Sequence, residues 1–326
     1  MSKWINSLVL VFAGLRGINS VTFWIFVRLK IGVFLKQLVA SLLQILPDRM
    51  RGKQRIARWL LDSFYTRKKA VQVRGDFGLS YFLPNLMENV SFEIFINGIF
   101  EKETFDAISE VVDKLNAAII IDIGANIGSI ALPLASRFNN VQIYCIEASP
   151  RVFNFLQRNV ELNKMAANVF PKNICLSDSN AELLDFFSPV EQFGKGSLNP
   201  VFTSVAEKVR NLSLDGFIHE QAIKKVDFIK IDVEGFESQV FKSGANLLSR
   251  SDAPDILFEV CDWAETLAGN KPGDSQRILK DFGYELFDSE RCNTHIKTIS
   301  SEPFAMILAT KKQRPEQLPQ SSHPHN

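Results

Sequence analysis

The chain has 326 residues, 46% hydrophobic and 22% charged, with a net charge of +1. Those proportions belong to a folded globular protein and exclude a disordered or collagen-like chain. Four scattered cysteines, Cys145, Cys175, Cys261 and Cys292, form no CxxC pair, which argues against a disulfide framework or a cysteine zinc site.

The charge is unevenly spread. Residues 1–70 carry 13 Lys and Arg against two acids, Asp48 and Asp62, so the remainder is acidic. Residues 4–46 are strongly apolar, but Arg16, Arg28, Lys30 and Lys36 break the run. No charge-free stretch reaches the ~18 residues of a spanning helix. A secretory signal over Lys3 to Gly14 lacks a convincing cleavage site. The basic clusters Arg49 to Arg58 and Arg67 to Lys69 follow. An apolar helix flanked by such clusters reads in two ways. It is either a peripheral element on an anionic membrane surface or a helical subdomain packed on the core. Nucleic acid is not the expected partner, because the aromatics here are not interleaved as stacking platforms.

Residues 71–96 read as strands and turns, including Val71–Arg74, Leu79–Leu83 and Phe92–Ile96. Asn97-Gly98 punctuates, and Glu101 to Leu115 reads as a helix. From Ala118 strands and helices alternate. Strands are expected at 118–123, 141–147, 168–176, 226–231, 255–261, 284–287 and 303–310. Helices are expected at 127–138, 150–163, 236–249 and 272–282. That rhythm predicts an α/β, doubly wound, mostly parallel sheet with right-handed crossovers. The last two strands would close it as a hairpin. The stretch 182–216, with Phe193-Gly-Lys195-Gly-Ser197, interrupts the rhythm as a glycine-rich loop of the sort that serves substrates. The tail 311–326 is polar and reads as disordered.

In an open parallel sheet, ligands bind beyond the carboxyl ends of the strands. The first strand runs into Asp122-Ile-Gly124-Ala-Asn126-Ile-Gly128. A glycine turn there lets backbone approach a ligand closely, and an acid inside it suits a cationic ligand better than a pyrophosphate. The pattern differs from the dinucleotide Gly-x-Gly-x-x-Gly, which argues against a nicotinamide oxidoreductase. The second strand ends at Glu147, positioned like the acids that hold ribose hydroxyls. The third ends in Ser177-Asp178, which could face an adenine amino group or form a turn. The fourth gives Lys230-Ile-Asp232-Val-Glu234-Gly235-Phe-Glu237. Lys230, Asp232 and Glu234 are spaced by two and share one side of an extended chain. Grouped carboxylates can raise one another's pKa and supply a general base. Glu259 ends the fifth strand. With Asp232 it invites a Mg²⁺ reading, but no third ligand falls at an expected position, so no metal is expected. His295 is read as structural.

These residues resemble one family, the FkbM-type methyltransferases. The matching pieces are Ile121 to Gly128, Glu147 to Pro150 with Asn159, Ile174 to Asp178, Gly196 to Leu198, Leu212 to Asp215 and Ile229 to Glu237. Asn97 to Glu101 resembles the Gly and Glu element before the family's first motif. The likeness covers about 95–262, with weaker support to 310, and leaves out 1–70. It implies a class I, Rossmann-like fold with a seven-stranded sheet. It implies S-adenosylmethionine as cofactor, at Asp122, Gly124, Asn126, Gly128 and Glu147, with Ser177 and Asp178 nearby. It implies a catalytic side at Lys230, Asp232 and Glu234. The expected acceptor is a hydroxyl of a sugar, glycolipid or metabolite. An N-methyltransferase and a non-catalytic, membrane-associated adaptor of the same fold are the alternatives. Three parts are expected: a basic helical extension over 1–70, a methyltransferase domain over 71–310 and a tail over 311–326. The expected location is cytoplasmic, including the cytoplasmic face of a membrane.

Overall fold

The computed structural model describes residues 38, 41–44, 52–65, 70–115, 117–289, 294–299 and 304–312. The chain forms two compact units, Met1–Phe64 and Tyr65–Asn326. In the first, helix α1 (Lys53–Tyr65) leaves Arg55, Ile56, Arg58 and Trp59 exposed and buries Ala57. The apolar runs between Trp4 and Leu35, and the tail from 313, lie outside the described residues. Among the described residues no helix is long and apolar enough to cross a membrane.

The second unit opens with a hairpin, β1 (Val71–Arg74) and β2 (Ser80–Leu83), paired antiparallel. The segment expected as a third strand is instead a helix, α2 (Asn89–Asn97). Phe92, Ile94 and Ile96 alternate on paper as in a strand. Phe95, Val90 and Ser91 are buried as well, so the helix is covered on nearly every side and shows no polar stripe. Gly98 stops it at φ 85°, its N–H donating to the Ile94 carbonyl. Helix α3 (Lys102–Val112) follows within the expected span.

The central sheet has the order β12-β11-β13-β10-β9-β3-β4-β5. Its parallel part comprises β3 (Ala118–Ile123), β4 (Val141–Ile146), β5 (Val169–Lys172), β9 (Phe228–Ile231) and β10 (Asp255–Val260). Strand β13 (Ala305–Thr310) runs antiparallel between β10 and β11 (Glu285–Asp288), closing the sheet as expected. The two-residue β12 (Thr294–His295) adds an edge to the seven strands. Helices α4 (Ala131–Arg137), α5 (Pro150–Leu162), α7 (Glu237–Ser243), α8 (Ala245–Leu248) and α10 (Asp274–Asp281) supply the crossovers. The single helix expected over 236–249 is two, divided at Gly244. The core is aliphatic and aromatic; Phe241 of α7 meets Phe258 of β10 edge to face, centroids 5.3 Å apart.

Two further differences bear on function. The strand expected over 168–176 breaks at Asn173, whose Nδ2 donates to the carbonyls of Glu147 and Ala148. The chain then leaves the main sheet, and β6 (Cys175–Leu176) pairs with β8 (Ala206–Leu212). The stretch 182–216, read as a loop, thus supplies β7 (Leu183–Phe187) and β8, which with β6 make a small sheet, β6-β8-β7, with β7 antiparallel to β8. Only 188–205 remains irregular, and Arg151 tethers it through the Pro189 and Val190 carbonyls and the Ser188 hydroxyl. A short α6 (Leu214–Glu220) follows β8, capped by Ser213. The unexpected α9 (Asp262–Leu267) follows β10.

Candidate active site

The strand order reverses between β3 and β9, so the carboxyl ends of these neighbours mark the switch point where open sheets bind ligands. Register sets Asp122 opposite Lys230 and Ile123 opposite Ile231. The two residues therefore project from one face of adjacent strands. Lys230 Nζ lies 3.2 Å from Asp232 Oδ2 and 3.7 Å from Asp122 Oδ1, and it donates to the Gly124 carbonyl at 3.4 Å. Lys230 is 4% exposed and Asp122 2%. Burial pulls the Lys230 pKa down, but Asp232 and Asp122 outweigh it, and the net direction is up. Burial raises Asp122, and Lys230 holds it back. Neither Asp122 oxygen has a hydrogen-bond partner among the described residues.

Above this buried pair lies the glycine turn. Gly124 sits at φ 79°. A Cβ there would fall 1.9 Å from the Asp232 carbonyl oxygen. The close approach that demands glycine is thus made by the neighbouring strand end, where the sequence suggested a ligand. Asn126, also left-handed at φ 53°, donates its backbone N–H to Glu147 Oε2 at 3.0 Å. Glu147 Oε1 accepts from Ser149 N–H at 2.8 Å. Burial pushes Glu147 up to about 7, against the pull of those two amides. Each oxygen keeps acceptor capacity. Asn159 fixes the turn from behind: its Nδ2 donates to the Ile127 carbonyl, and its Oδ1 accepts from Phe82 N–H of β2.

Beyond β9 the chain turns sharply at Glu234 (φ 54°) and Gly235 (φ 95°). A Cβ on Gly235 would meet the Ala264 carbonyl at 2.3 Å, so α9 packs on this turn. Glu237 Oε1 accepts from Val233 and Gly235 N–H, holding the turn from within. Burial, reinforced by Asp232, pushes Glu234 up to about 8. Burial carries Glu237 up to about 7.

An open cleft of about 680 Å3, its mouth included, joins these parts. It is lined by Ile146, Glu147, Ala148 and Cys175, by Asp232, Glu234 and Phe236, and by Phe193, Gly194, Gly196, Ser197 and Leu198. Gly124, Asn126, Glu147, Asp232 and Glu234 thus meet at one cleft, with Asp122 and Lys230 beneath it. Ser177 and Asp178 do not join them. Ser177 Oγ is buried and donates to Asn211 Oδ1, linking β6 to β8, and Asp178 is exposed. Two acids extend the cluster. Glu259, at the end of β10, is raised by burial and by Asp232. Glu101, left-handed at φ 44°, is raised by burial and by Asp232 and lowered by Lys230. Glu101 was legible only as part of a matching motif. His295 lies on the edge strand, ring against Phe287. Among the described residues no group of three His, Cys, Asp or Glu could hold a metal ion.

These raised carboxyls have a measurable consequence. A free Glu titrates near 4.3. Between that pH and about 8 the folded protein holds protons that the unfolded chain releases, so stability falls as pH rises. The ligand-free thermal midpoint is expected to drop between about pH 5.5 and pH 8.5, and Glu234→Gln to flatten that slope. A midpoint that rises across the window would contradict the buried acid cluster.

The family described as Methyltransferase FkbM domain matches residues 122–286, half the chain, from the turn acid Asp122 to β11. The chain belongs to the FkbM methyltransferase family. Among curated proteins it is similar to the hexuronic acid methyltransferase AglP of Haloferax volcanii, 26% identical over 163 residues. That alignment covers 50% of this chain and 62% of AglP. Methyltransferase 1 of Beauveria bassiana is 24% identical over 214 residues, covering 59% of this chain and 81% of that one. Among solved structures it is similar to the human methyltransferase 10 domain containing protein, at 14% identity and TM-score 0.42, covering 80% and 95% of the two chains. It is also similar to M. jannaschii TYW2 in complex with AdoMet, at 14% identity and TM-score 0.37, covering 75% and 86%. The topology places this FkbM methyltransferase in the class I fold: a mostly parallel seven-stranded sheet with β13 inserted antiparallel between β10 and β11, to which the short β12 adds an antiparallel edge.

Proposed function

We propose that the protein is an S-adenosylmethionine-dependent O-methyltransferase acting on a hydroxyl of a sugar or glycolipid. The observation that carries this is the convergence, on one cleft, of Glu147 below a glycine turn and of Asp232 and Glu234 beyond the next strand. The residues fit such a cofactor. Glu147 has acceptor capacity for the two ribose hydroxyls, and the apolar Ile146, Ala148 and Cys175 beside it suit a purine face. The buried Asp122 carboxylate, ion-paired with Lys230 but without a hydrogen bond of its own, lies beneath the turn with Asp232, so two acids face one buried ammonium there. When bound, S-adenosylmethionine supplies an electrophilic methyl group on a sulfonium.

An alcohol is a poor nucleophile until its proton leaves. Asp232 and Glu234 are the groups that can take that proton, being carboxylates that line the cleft. Lys230 fixes the Asp232 carboxylate from below and balances its charge. The turn at Glu234 and Gly235, locked by Glu237, sets the second carboxylate at the wall. Holding acceptor and donor in line would supply much of the rate. The sugar acceptor is supported by the relative whose name assigns it a hexuronic acid.

Titration calorimetry tests the cofactor half. S-adenosylmethionine and S-adenosylhomocysteine should bind, and NADH should not. Tight NADH binding with no binding of either would sink the reading.

A further inference from the structure

Trp263 is 54% exposed, a large apolar surface left in water. It lies in the first turn of α9, just after the β10 end that carries Glu259. Its ring faces Phe202 with centroids 6.0 Å apart and planes tilted by 48°. Lys195 Nζ stands 4.9 Å from the centroid of the same Phe202 ring. Lys195 sits between Gly194 and Gly196, both of which line the cleft. Its charge acts on Glu234 at one wall and on Glu88 near the glycine turn. The segment and α9 are tied, since Asn199 Nδ2 donates to the Leu267 carbonyl at 2.6 Å. An indole, a phenyl ring and an ammonium are thus gathered next to the segment that lines the cleft, with the ammonium within electrostatic reach of Glu234.

We propose that Trp263, Phe202 and Lys195 form the acceptor subsite of this cleft and receive a pyranose ring stacked on the aromatic pair; this rests on the methyl-transfer reading. A pyranose has a face of axial C–H bonds, weakly positive and apolar, and an edge of hydroxyls. The face matches an exposed, electron-rich indole, whose N–H remains available to a hydroxyl. The edge matches Glu234 and the Lys195 ammonium, which accept from and donate to hydroxyls. An acyl chain fits poorly, because Lys195 over Phe202 would have to shed water against hydrocarbon. Exposed aromatics scattered singly need no explanation, whereas Trp263 faces a second ring that carries a cation, beside a segment that lines the cleft.

The test uses the full chain saturated with S-adenosylhomocysteine and the methyl glycosides of glucose, galactose and glucuronic acid. Saturation-transfer NMR should detect at least one glycoside through its ring C–H protons. Trp263→Ala should weaken that glycoside about tenfold, as expected for loss of one stacking contact, and Trp263→Phe should restore much of it. Calorimetry should give the same S-adenosylhomocysteine affinity in all three proteins, so a misfolded variant is recognised. If the wild type binds S-adenosylhomocysteine but no glycoside, or if Trp263→Ala binds glycoside as the wild type does, the subsite is overturned. If the wild type fails to bind S-adenosylhomocysteine, the methyl-transfer reading falls and the subsite falls with it.

Discussion

The Lys230→Met variant is expected to lose about 3–5 kcal/mol of folding stability at neutral pH, the cost of removing one partner from a buried ion pair. Lys230 is nearly inaccessible and stands within 4 Å of two carboxylates, Asp122 and Asp232. Methionine fills similar space but leaves those acids, and the nearby Glu101, without their cation. Asp122 would suffer most, because neither of its oxygens has a hydrogen bond to fall back on. The orphaned acids can relieve the cost by taking up protons. The loss should therefore shrink toward about pH 5 and grow toward about pH 8. Urea denaturation at the two pH values measures both parts. A loss of less than about 0.5 kcal/mol at neutral pH, the size of an ordinary surface change, would mean that Lys230 does not hold the buried acids.

The second large effect concerns rate. Asp232→Asn and Glu234→Gln, made separately, should leave S-adenosylhomocysteine affinity nearly unchanged. The variant that removes the general base should lower methyl transfer by about 10²–10⁴. The pH profile tells the two apart. Glu234 is held up to about 8, so a base at this position works only once it has lost its proton. The wild-type rate would then rise through about pH 8, and that rise would vanish in Glu234→Gln. If the rise survives in Glu234→Gln and the rate collapses in Asp232→Asn, Asp232 is the base and Glu234 shapes the wall. If neither change slows transfer, the chemistry lies elsewhere.

Much of the frame was legible in the sequence because it is local. Four apolar residues, an acid and two glycines define the first strand and its turn, and spacing by two puts Lys230, Asp232 and Glu234 on one side. What joins them is not local. That Asp122 faces Lys230 depends on β9 lying beside β3, a pairing across 108 residues of chain. Gly124 was expected to admit a ligand, yet the atom that excludes a side chain is the Asp232 carbonyl. The Phe92 to Ile96 run looked like a strand because both faces are buried, and burial erases the stripe that marks a helix. Ser177 and Asp178 follow an apolar run and read as a strand end over the cleft. The chain had already left the main sheet at Asn173, and Ser177 instead bonds Asn211. Glu101 was legible only as part of a motif, and Trp263 not at all, for the opposite reason. Nothing in their neighbours shows that one is buried beside Asp232 and the other left bare next to the cleft.

The most direct measurement follows the methyl group itself. The full chain is supplied with S-adenosylmethionine carrying a trideuterated methyl, together with saccharides and glycolipid extracts, and the products are analysed by mass spectrometry. The expected result is the deuterated methyl on an oxygen of a sugar ring, absent when Asp232→Asn and Glu234→Gln are combined. Label found on nitrogen, or transfer undiminished in the double variant, would contradict it.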